Sequence, residues 1–246
     1  MNFGANVLSL KRGDTTPLMI AAHKDYLNLF CLLLSYNSNY NVNNINGWNC
    51  GHIACRGGFI DILQELFKGP ANIDAQFWNA ITKNGSNMLH IAAHNGHKNV
   101  VDFLLRENKN FFFTNKFSID FEGKTPFFRS IITDNVSIAK LLFDKTHSNI
   151  EAKDSCGRTV LHHAALLNNF KITKFLIQNL GADLNSFDMW KQTPIFLSIY
   201  NNNMQIFQYL IDQKADIEYL DQNGNSVESL CKQFNRHEML EYLKNS

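Results

Sequence analysis

Apolar residues recur three and four positions apart in short segments of the chain, which is the spacing of helices buried on one face. In some segments this stripe consists of large side chains, and a segment about ten residues earlier carries small residues such as Ala92 and Ala93. Turn-rich stretches such as 181–185 and 214–217 separate these pairs of segments. The pattern predicts pairs of helices, each with a slim first helix and a wider second helix. The wide stripes include Leu29, Phe30, Leu33 and Leu34; Val100, Val101, Leu104 and Leu105; and Ile206, Phe207, Leu210 and Ile211.

A six-residue segment recurs at the start of the first helix of each pair. Its first copy runs from Thr16 to Ala21, and six further copies follow at spacings of 33, 38, 38, 34, 34 and 33 residues. Threonine is a good N-cap, and the proline that follows it in three copies suits the first helical position. The recurrence predicts a single repeat domain over residues 1–246. Its seven units start near residues 4, 37, 70, 108, 147, 181 and 214.

Two of the seven units are longer than the others. The third and the fourth each carry about five extra residues, and insertions of this kind map to loops on one side of a stacked repeat protein. The fourth insertion contains four phenylalanines, and we expect them to fold back onto the stacked repeats. The alternative is that they form an exposed apolar finger. These residues are Phe111, Phe112, Phe113 and Phe117.

A period near 33 residues that carries the pattern Thr-Pro-Leu-His-x-Ala resembles the ankyrin repeat, and the resemblance covers essentially the whole chain. It implies an all-α ankyrin-repeat solenoid of seven stacked helix-turn-helix units with hairpin fingers. His52, His90 and His162 stand at the same place in the pattern. The resemblance implies that this histidine makes structural hydrogen bonds between adjacent repeats.

Composition narrows the class of protein. Of the 246 residues 45% are hydrophobic and 18% are charged, and the net charge is +1. Such a chain can bury a sizeable core, and its charge balance does not indicate general binding to nucleic acid or to an anionic membrane. Residues 1–13 lack the apolar core of a signal peptide, and the apolar stretch 27–34 is too short to span a bilayer. We therefore predict no membrane insertion and a cytoplasmic location, with the nucleus as the alternative.

The chemistry-bearing residues do not form a recognisable catalytic or metal site. The five cysteines are odd in number and contain no Cys-x-x-Cys pair, which argues against a disulfide framework or a common zinc site. His94 and His97 lack a third ligand at suitable spacing, and the adjacent His162 and His163 would point about 100° apart on a helix. No glycine-rich phosphate loop or nucleophile elbow occurs. We predict that the chain is not an enzyme and uses no cofactor and no metal.

The resemblance also implies where a partner would bind, because ankyrin proteins typically use the finger tips and the exposed side of the first helices. Two groups of residues fall there. Six are cations, against the single acid Glu122: Arg12, Lys24, Arg56, Lys83, Lys124 and Arg158. The others are mostly aromatic or apolar: Trp48, His94, Phe121, Leu166, Leu167, Met189, Trp190 and Tyr200.

Trp, Tyr and Arg are the residues most enriched in interface hot spots. Our hypothesis is a partner protein with a segment whose acidic residues face the N-terminal repeats and whose apolar anchor lies near Trp190. The alternative is that the cations only keep the surface soluble, since exposed ion pairs contribute about 0–1 kcal/mol. Trp48 and Tyr200 would then pack within the stack.

The predicted function is a non-enzymatic scaffold or adaptor that binds another protein. One alternative is a substrate-recruiting segment of a larger enzyme, such as an ankyrin-bearing palmitoyltransferase. Another is a gankyrin-like chaperone of proteasome assembly, on the analogy of repeat number alone. Nucleic-acid binding along the cations is the least favoured alternative, because the overall charge is balanced.

Overall fold

The computed structural model describes residues 13–36, 38–68, 75–107 and 119–245. These residues contain fifteen α-helices and no strand, so the predicted all-α fold class is confirmed. The chain divides into two compact units, residues 1–121 and residues 122–246. Four of the predicted repeat starts, near 4, 37, 70 and 108, lie outside the described residues. The assignment of 1–246 to one domain stays a prediction.

The described residues of unit 1 contain three pairs of helices and one short extra helix. In each pair a slim first helix is followed by a second helix that carries the larger apolar side chains. The helices are α1 (Pro17–His23), α2 (Leu27–Ser35), α3 (Cys50–Gly57), α4 (Ile60–Lys68), α5 (Ala75–Trp78), α6 (Met88–His94) and α7 (Lys98–Glu107).

Unit 2 contains four pairs. Its first helix is short and continues as a 3₁₀ turn over Ile131–Thr133. The helices are α8 (Pro126–Ser130), α9 (Val136–Thr146), α10 (Val160–Leu167), α11 (Phe170–Leu180), α12 (Pro194–Tyr200), α13 (Met204–Asp212), α14 (Val227–Gln233) and α15 (His237–Asn245).

The first helices begin as the sequence predicts. The hydroxyl of Thr16 accepts the N–H of Met19 at 3.1 Å, and Thr125 caps α8 through the N–H of Phe128 at the same distance. Thr193 holds the same place before α12 but makes no such side-chain bond. Each cap satisfies one of the N–H groups that the first turn of a helix leaves without a partner.

Small residues on the first helices are fully buried, which lets neighbouring pairs approach closely. Ala21 and Ala22 on α1 and Ala164 and Ala165 on α10 all have 0% exposure. The second helices supply the bulk of the core; Phe207 on α13, for example, is also 0% exposed. Interiors are packed this densely because dispersion and the removal of apolar area from water both favour it.

The apolar stripe of α2 is only partly buried, although the pattern suggested a core face. Phe30 is fully buried, whereas Leu29 is 43% exposed and Leu32 is 53% exposed. Among the described residues α2 packs chiefly against α1 and α4. A helix of a stacked repeat buries its whole stripe only when it has a neighbour on both sides.

The insertion of the third repeat folds back onto unit 1. Phe77 and Trp78 on α5 are buried, and their rings meet edge to face with centroids 5.1 Å apart. Phe77 also meets the ring of Tyr40 at 5.7 Å, so the extra residues extend the core. The insertion of the fourth repeat, with its four phenylalanines, lies outside the described residues.

The outer side of α15 is polar. Glu238, Glu241 and Lys244 on α15 are exposed. Arg236 does not join them, because its guanidinium donates to the carbonyl oxygens of Ile199 at 2.9 Å and Tyr200 at 2.6 Å. A cation there binds the carbonyls that the end of α12 leaves without helical partners.

Core packing in unit 2 can be tested with two leucines. Leu210→Ala removes a side chain with 0% exposure and should lower the free energy of unfolding by about 2–5 kcal/mol. Leu220→Ala, at a side chain that is 55% exposed, should change it by less than about 0.5 kcal/mol. Urea unfolding followed by circular dichroism checks both; equal losses would contradict the assigned core.

Candidate protein-interaction surface

The fingers that connect successive pairs share one turn, and an Asx or threonine side chain holds it. Oδ1 of Asn44 accepts the N–H groups of Asn46 at 2.9 Å and Trp48 at 3.0 Å. In unit 2, Oδ1 of Asp188 accepts the corresponding N–H groups of Trp190 and Gln192. This side-chain bond fixes the short turn before each first helix.

Main-chain hydrogen bonds link each finger tip to the next within a unit. In unit 1 the N–H of Lys83 donates to the carbonyl of Asn46 at 2.9 Å. In unit 2 the N–H of Met189 donates to the carbonyl of Cys156 at 3.1 Å. The tips therefore form a regular row in each unit, and side chains such as those of Lys83 and Met189 are exposed along it.

The tips also need a left-handed residue. Gly85 has φ of +77°, and a Cβ there would come within 2.6 Å of the ring of Phe121. Lys191 takes this conformation in the sixth finger with φ of +57°. Glycine is favoured where both the conformation and a close neighbour exclude a side chain.

Two of the repeated histidines join neighbouring repeats, as the resemblance implied. Nε2 of His52 donates to the carbonyl of Ala80, and Nε2 of His162 donates to the carbonyl of Gln192, both at 3.0 Å. Nδ1 of His162 accepts the N–H of Thr159 at 3.1 Å. Both rings are buried, and this burial lowers the pKa of each to about 4 although the carbonyl bond opposes the shift. They are neutral structural donors.

The finger aspartates of unit 2 bind a second side chain with their other oxygen. Oδ2 of Asp188 accepts Nε–H of Arg158 at 3.2 Å, and the Asp188 side chain has 0% exposure. Oδ2 of Asp154 lies 2.8 Å from Nε2 of His163. Burial opposes ionisation of Asp154, but bonds from His163 and from backbone N–H groups outweigh it and lower its pKa. Unit 2 thus neutralises charges inside its own row of fingers.

The predicted cations divide into two groups. Lys124 lies 2.7 Å from Glu122 with its side chain only 13% exposed, and Arg158 lies over the ring of Trp190 at 5.0 Å as well as beside Asp188. Lys24, Arg56 and Lys83 are exposed and form no ion pair with any residue that the structure describes. Arg12 lies outside the described residues.

The aromatic and apolar candidates are exposed to different degrees. Phe121 is 70% exposed and Met189 is 60% exposed, so their side chains are open to a partner. His94 and Leu167 are also exposed, whereas Trp48, Leu166 and Trp190 are half-buried.

Tyr200 is more engaged than its position suggested. Its hydroxyl bonds the side-chain amide of Gln192, and its ring packs edge to face on Phe234 with centroids 5.2 Å apart. Burial raises the pKa of its phenol. Tyr200 contributes the edge of its ring to the surface rather than a free hydroxyl.

In unit 1 the structure brings Trp48 and Arg56 together. The guanidinium carbon of Arg56 lies 5.7 Å from the centroid of the Trp48 ring, and both residues line a cavity of about 340 Å³. The register of the repeats placed Trp48 and Arg56 on one surface, but it did not indicate the apolar lining of this cavity. The other lining residues are Thr15, Met19, Ile20, His23, Asn44, Asn46 and Ile53.

The remaining chemistry-bearing residues are the cysteines and the other possible metal ligands. Within the described ranges no three His, Cys, Asp or Glu side chains are grouped to hold a metal ion. Cys50, Cys55 and Cys231 are buried, and burial raises the pKa of the Cys50 thiol to about 12. They act as small apolar residues. Over the same ranges no helix has the length and apolar character needed to cross a bilayer.

Stacked helix pairs, hydrogen-bonded finger tips and a buried histidine that reaches the next repeat define a protein of the ankyrin type. The family model described as ankyrin repeats (3 copies) matches this chain over residues 18–115 and again over residues 89–188. It belongs to the ankyrin repeat family.

A solved structure shares this fold. It is the crystal structure of the ankyrin repeat domain of Bcl-3, a unique member of the IκB protein family. The match covers 95% of this chain and 100% of that one, with a TM-score of 0.72 and 17% sequence identity. At this identity the likeness shows the fold alone.

The buried histidines make stability depend on pH. Because the folded-state pKa of His162 is about 4 against 6.5 when exposed, the unfolded chain binds more protons between these values. Stability therefore falls as the pH is lowered through this window, by about 2 kcal/mol from pH 7 to pH 5 for one such histidine. Urea unfolding at pH 7 and pH 5 measures this effect. The loss of unfolding free energy between the two pH values should be smaller in His162→Gln than in the wild type by that amount. An identical loss would show that His162 does not remain neutral.

Arg158 should matter for stability because it neutralises a buried carboxylate. Arg158→Leu leaves Asp188 buried without its charged partner and should cost about 2–3 kcal/mol of unfolding free energy. The control Lys83→Leu, at an exposed cation of a finger tip, should cost less than about 0.5 kcal/mol. Comparable thermal and urea unfolding of the two variants would mean that the Arg158–Asp188 pair is dispensable.

Proposed function

We propose that this chain is a non-enzymatic scaffold or adaptor that binds another protein through its finger tips and the exposed side of its first helices. Ankyrin repeats are a protein-interaction fold. The observation that supports this proposal is that main-chain hydrogen bonds link the fingers while large apolar and cationic side chains are exposed on the finger tips. Lys83, Phe121 and Met189 are the clearest cases. Exposed apolar and cationic side chains on a rigid backbone are more typical of a surface that binds a partner than of a surface that contacts only solvent.

Unit 2 supplies the apolar part of the proposed surface. Met189 is 60% exposed beside Trp190, and Arg158 stacks on the Trp190 ring at 5.0 Å while bonded to Asp188. Stacking holds the indole in one orientation, so less conformational freedom is lost when a partner covers it. Leu166 and Tyr200, both half-buried, extend this patch.

The proposal places the protein in the cytoplasm, with the nucleus as the alternative that the cysteine pattern also allows. A recruiting segment of a larger enzyme would use the same surface, and so would a gankyrin-like chaperone. Neither alternative is supported by matched contact residues. The cations support nucleic-acid binding less than their number suggested, because carboxylates of the same unit neutralise Lys124 and Arg158. A protein partner therefore remains the favoured ligand.

The test replaces the apolar patch without touching the core. The double variant Met189→Ser/Trp190→Ala should bind its partner at least about tenfold more weakly than the wild type, since hot-spot aromatics dominate interface energies. The control Lys171→Ala/Asn179→Ala changes two exposed residues on α11, the second helix of a repeat. Proteins captured from extract by the wild type are identified, and the affinity of each purified candidate is measured against all three chains.

Equal affinity of every captured protein for the patch variant and the control would contradict the placement of the surface in unit 2. Matching thermal unfolding of the two variants is required, so that weaker binding is not a folding defect.

A further inference from the structure

The cavity of unit 1 has an apolar floor and a basic rim. Ile20 on α1 and Ile53 on α3 are half-buried lining residues, and the half-buried ring of Trp48 forms part of the wall. The ionisable lining residues are His23 and Arg56, both of them bases and both exposed. Asp14 and Asp25 neighbour the cavity in sequence but do not line it. A cavity of about 340 Å³ is at the small end of the range for specific ligand sites.

Arg56 is held in place without being neutralised. The carbonyl of Arg56 accepts Nε2–H of His97 at 2.9 Å, which fixes the end of α3 against the start of α7. Its guanidinium stacks on Trp48 at 5.7 Å and forms no ion pair with any described carboxylate. The cavity therefore offers a guanidinium without a carboxylate partner next to apolar side chains. Such a site is complementary to a ligand that has a carboxylate close to an apolar group.

The fingers of the two units differ in charge at the turn position. In unit 2 this position is aspartate, and Asp188 neutralises Arg158 from the preceding finger. In the fingers 44–48 and 82–86 of unit 1 the equivalent residues are Asn44, which lines the cavity, and Thr82. They keep the turn-forming bonds, from Asn46 and Trp48 to Asn44 and from Ser86 to Thr82, but bring no charge.

A larger cavity elsewhere lacks this imbalance. About 530 Å³ of space lies in the last repeat beside Asp212, Lys214 and Asp216, so charges of both signs line it. The hydroxyl of Tyr242 already donates to Asp212 at 2.6 Å. These groups compensate one another, and the cavity does not favour a ligand of one charge.

We propose that the cavity lined by α1, α3 and the finger 44–48 binds an acidic segment of a partner protein. An apolar side chain of that segment enters between Ile20, Ile53 and Trp48. A carboxylate one or two residues away pairs with Arg56, which forms no ion pair with any described carboxylate. This inference rests on the proposed function and adds a site in unit 1 that selects for charge.

The test adds the missing carboxylate to the chain itself. Asn44→Asp keeps the oxygen that accepts the N–H groups of Asn46 and Trp48, and it is the residue that unit 2 uses at this position. It should leave the fold intact and lower affinity for an acidic segment by about tenfold or more, because a carboxylate then lines the same cavity as Arg56 and opposes a second negative charge there. Asn99→Asp on α7 is the matched control, since it adds the same charge at an exposed site in a first helical turn.

The probe is a random decapeptide library displayed on phage and selected on the full chain, followed by synthetic versions of the enriched peptides in fluorescence polarisation. We expect enriched peptides to carry Asp or Glu within two positions of a large apolar residue. Their binding should weaken about tenfold in Asn44→Asp and in Arg56→Gln, remain unchanged in Asn99→Asp, and weaken as salt is raised.

Four outcomes separate the inference from the proposed function. Enriched peptides without acidic residues would overturn the inference, and so would acidic peptides that bind Asn44→Asp and Asn99→Asp equally. Peptides that lose binding only in Met189→Ser/Trp190→Ala would overturn the inference and support the proposed function. Failure to enrich any peptide on the wild-type chain would count against the proposed function itself.

Discussion

Neighbouring helix pairs share an apolar interface that no single pair can cover, and the rest of the structure depends on this sharing. In unit 2 one cluster joins Ala165, Phe196, Phe207, Cys231 and Met239, which come from three successive pairs and are all fully buried. The stability of each repeat is therefore a property of its neighbours. Finger tips and the ends of first helices take little part in this core, which leaves their side chains available for binding.

Buried polar groups make the stacking specific and also set the charge of the surface. His162 reaches the next repeat through one neutral N–H, and Asp188 holds its own turn while it neutralises Arg158. A buried polar group without such partners would cost more than the bond contributes, so these groups select one register of stacking. Where asparagine stands at this position, as at Asn44, the turn-forming bonds are kept without a negative charge.

Much of the candidate surface could be predicted from the sequence, because the register of the repeats shows which residues fall on finger tips. Lys83, Phe121 and Met189 are exposed at tips as expected. The pairing of Lys124 with Glu122 was not predicted, and packing of Tyr200 within the stack was only the alternative interpretation. Both contacts depend on distances between side chains in the folded chain, and the spacing of residues along the sequence does not give these distances.

The sequence by itself determined the class of fold: its period, its helix caps and its small residues specify stacked pairs, because each of these acts locally or through repetition. Only the tertiary structure decided which surface residues are free to bind. Arg158, Arg236 and Arg56 look alike in the sequence, yet the first meets a buried carboxylate, the second meets the end of a helix and the third meets an indole beside a cavity. The first two contacts join residues 30 and 37 positions apart, and their geometry exists only once the repeats have stacked.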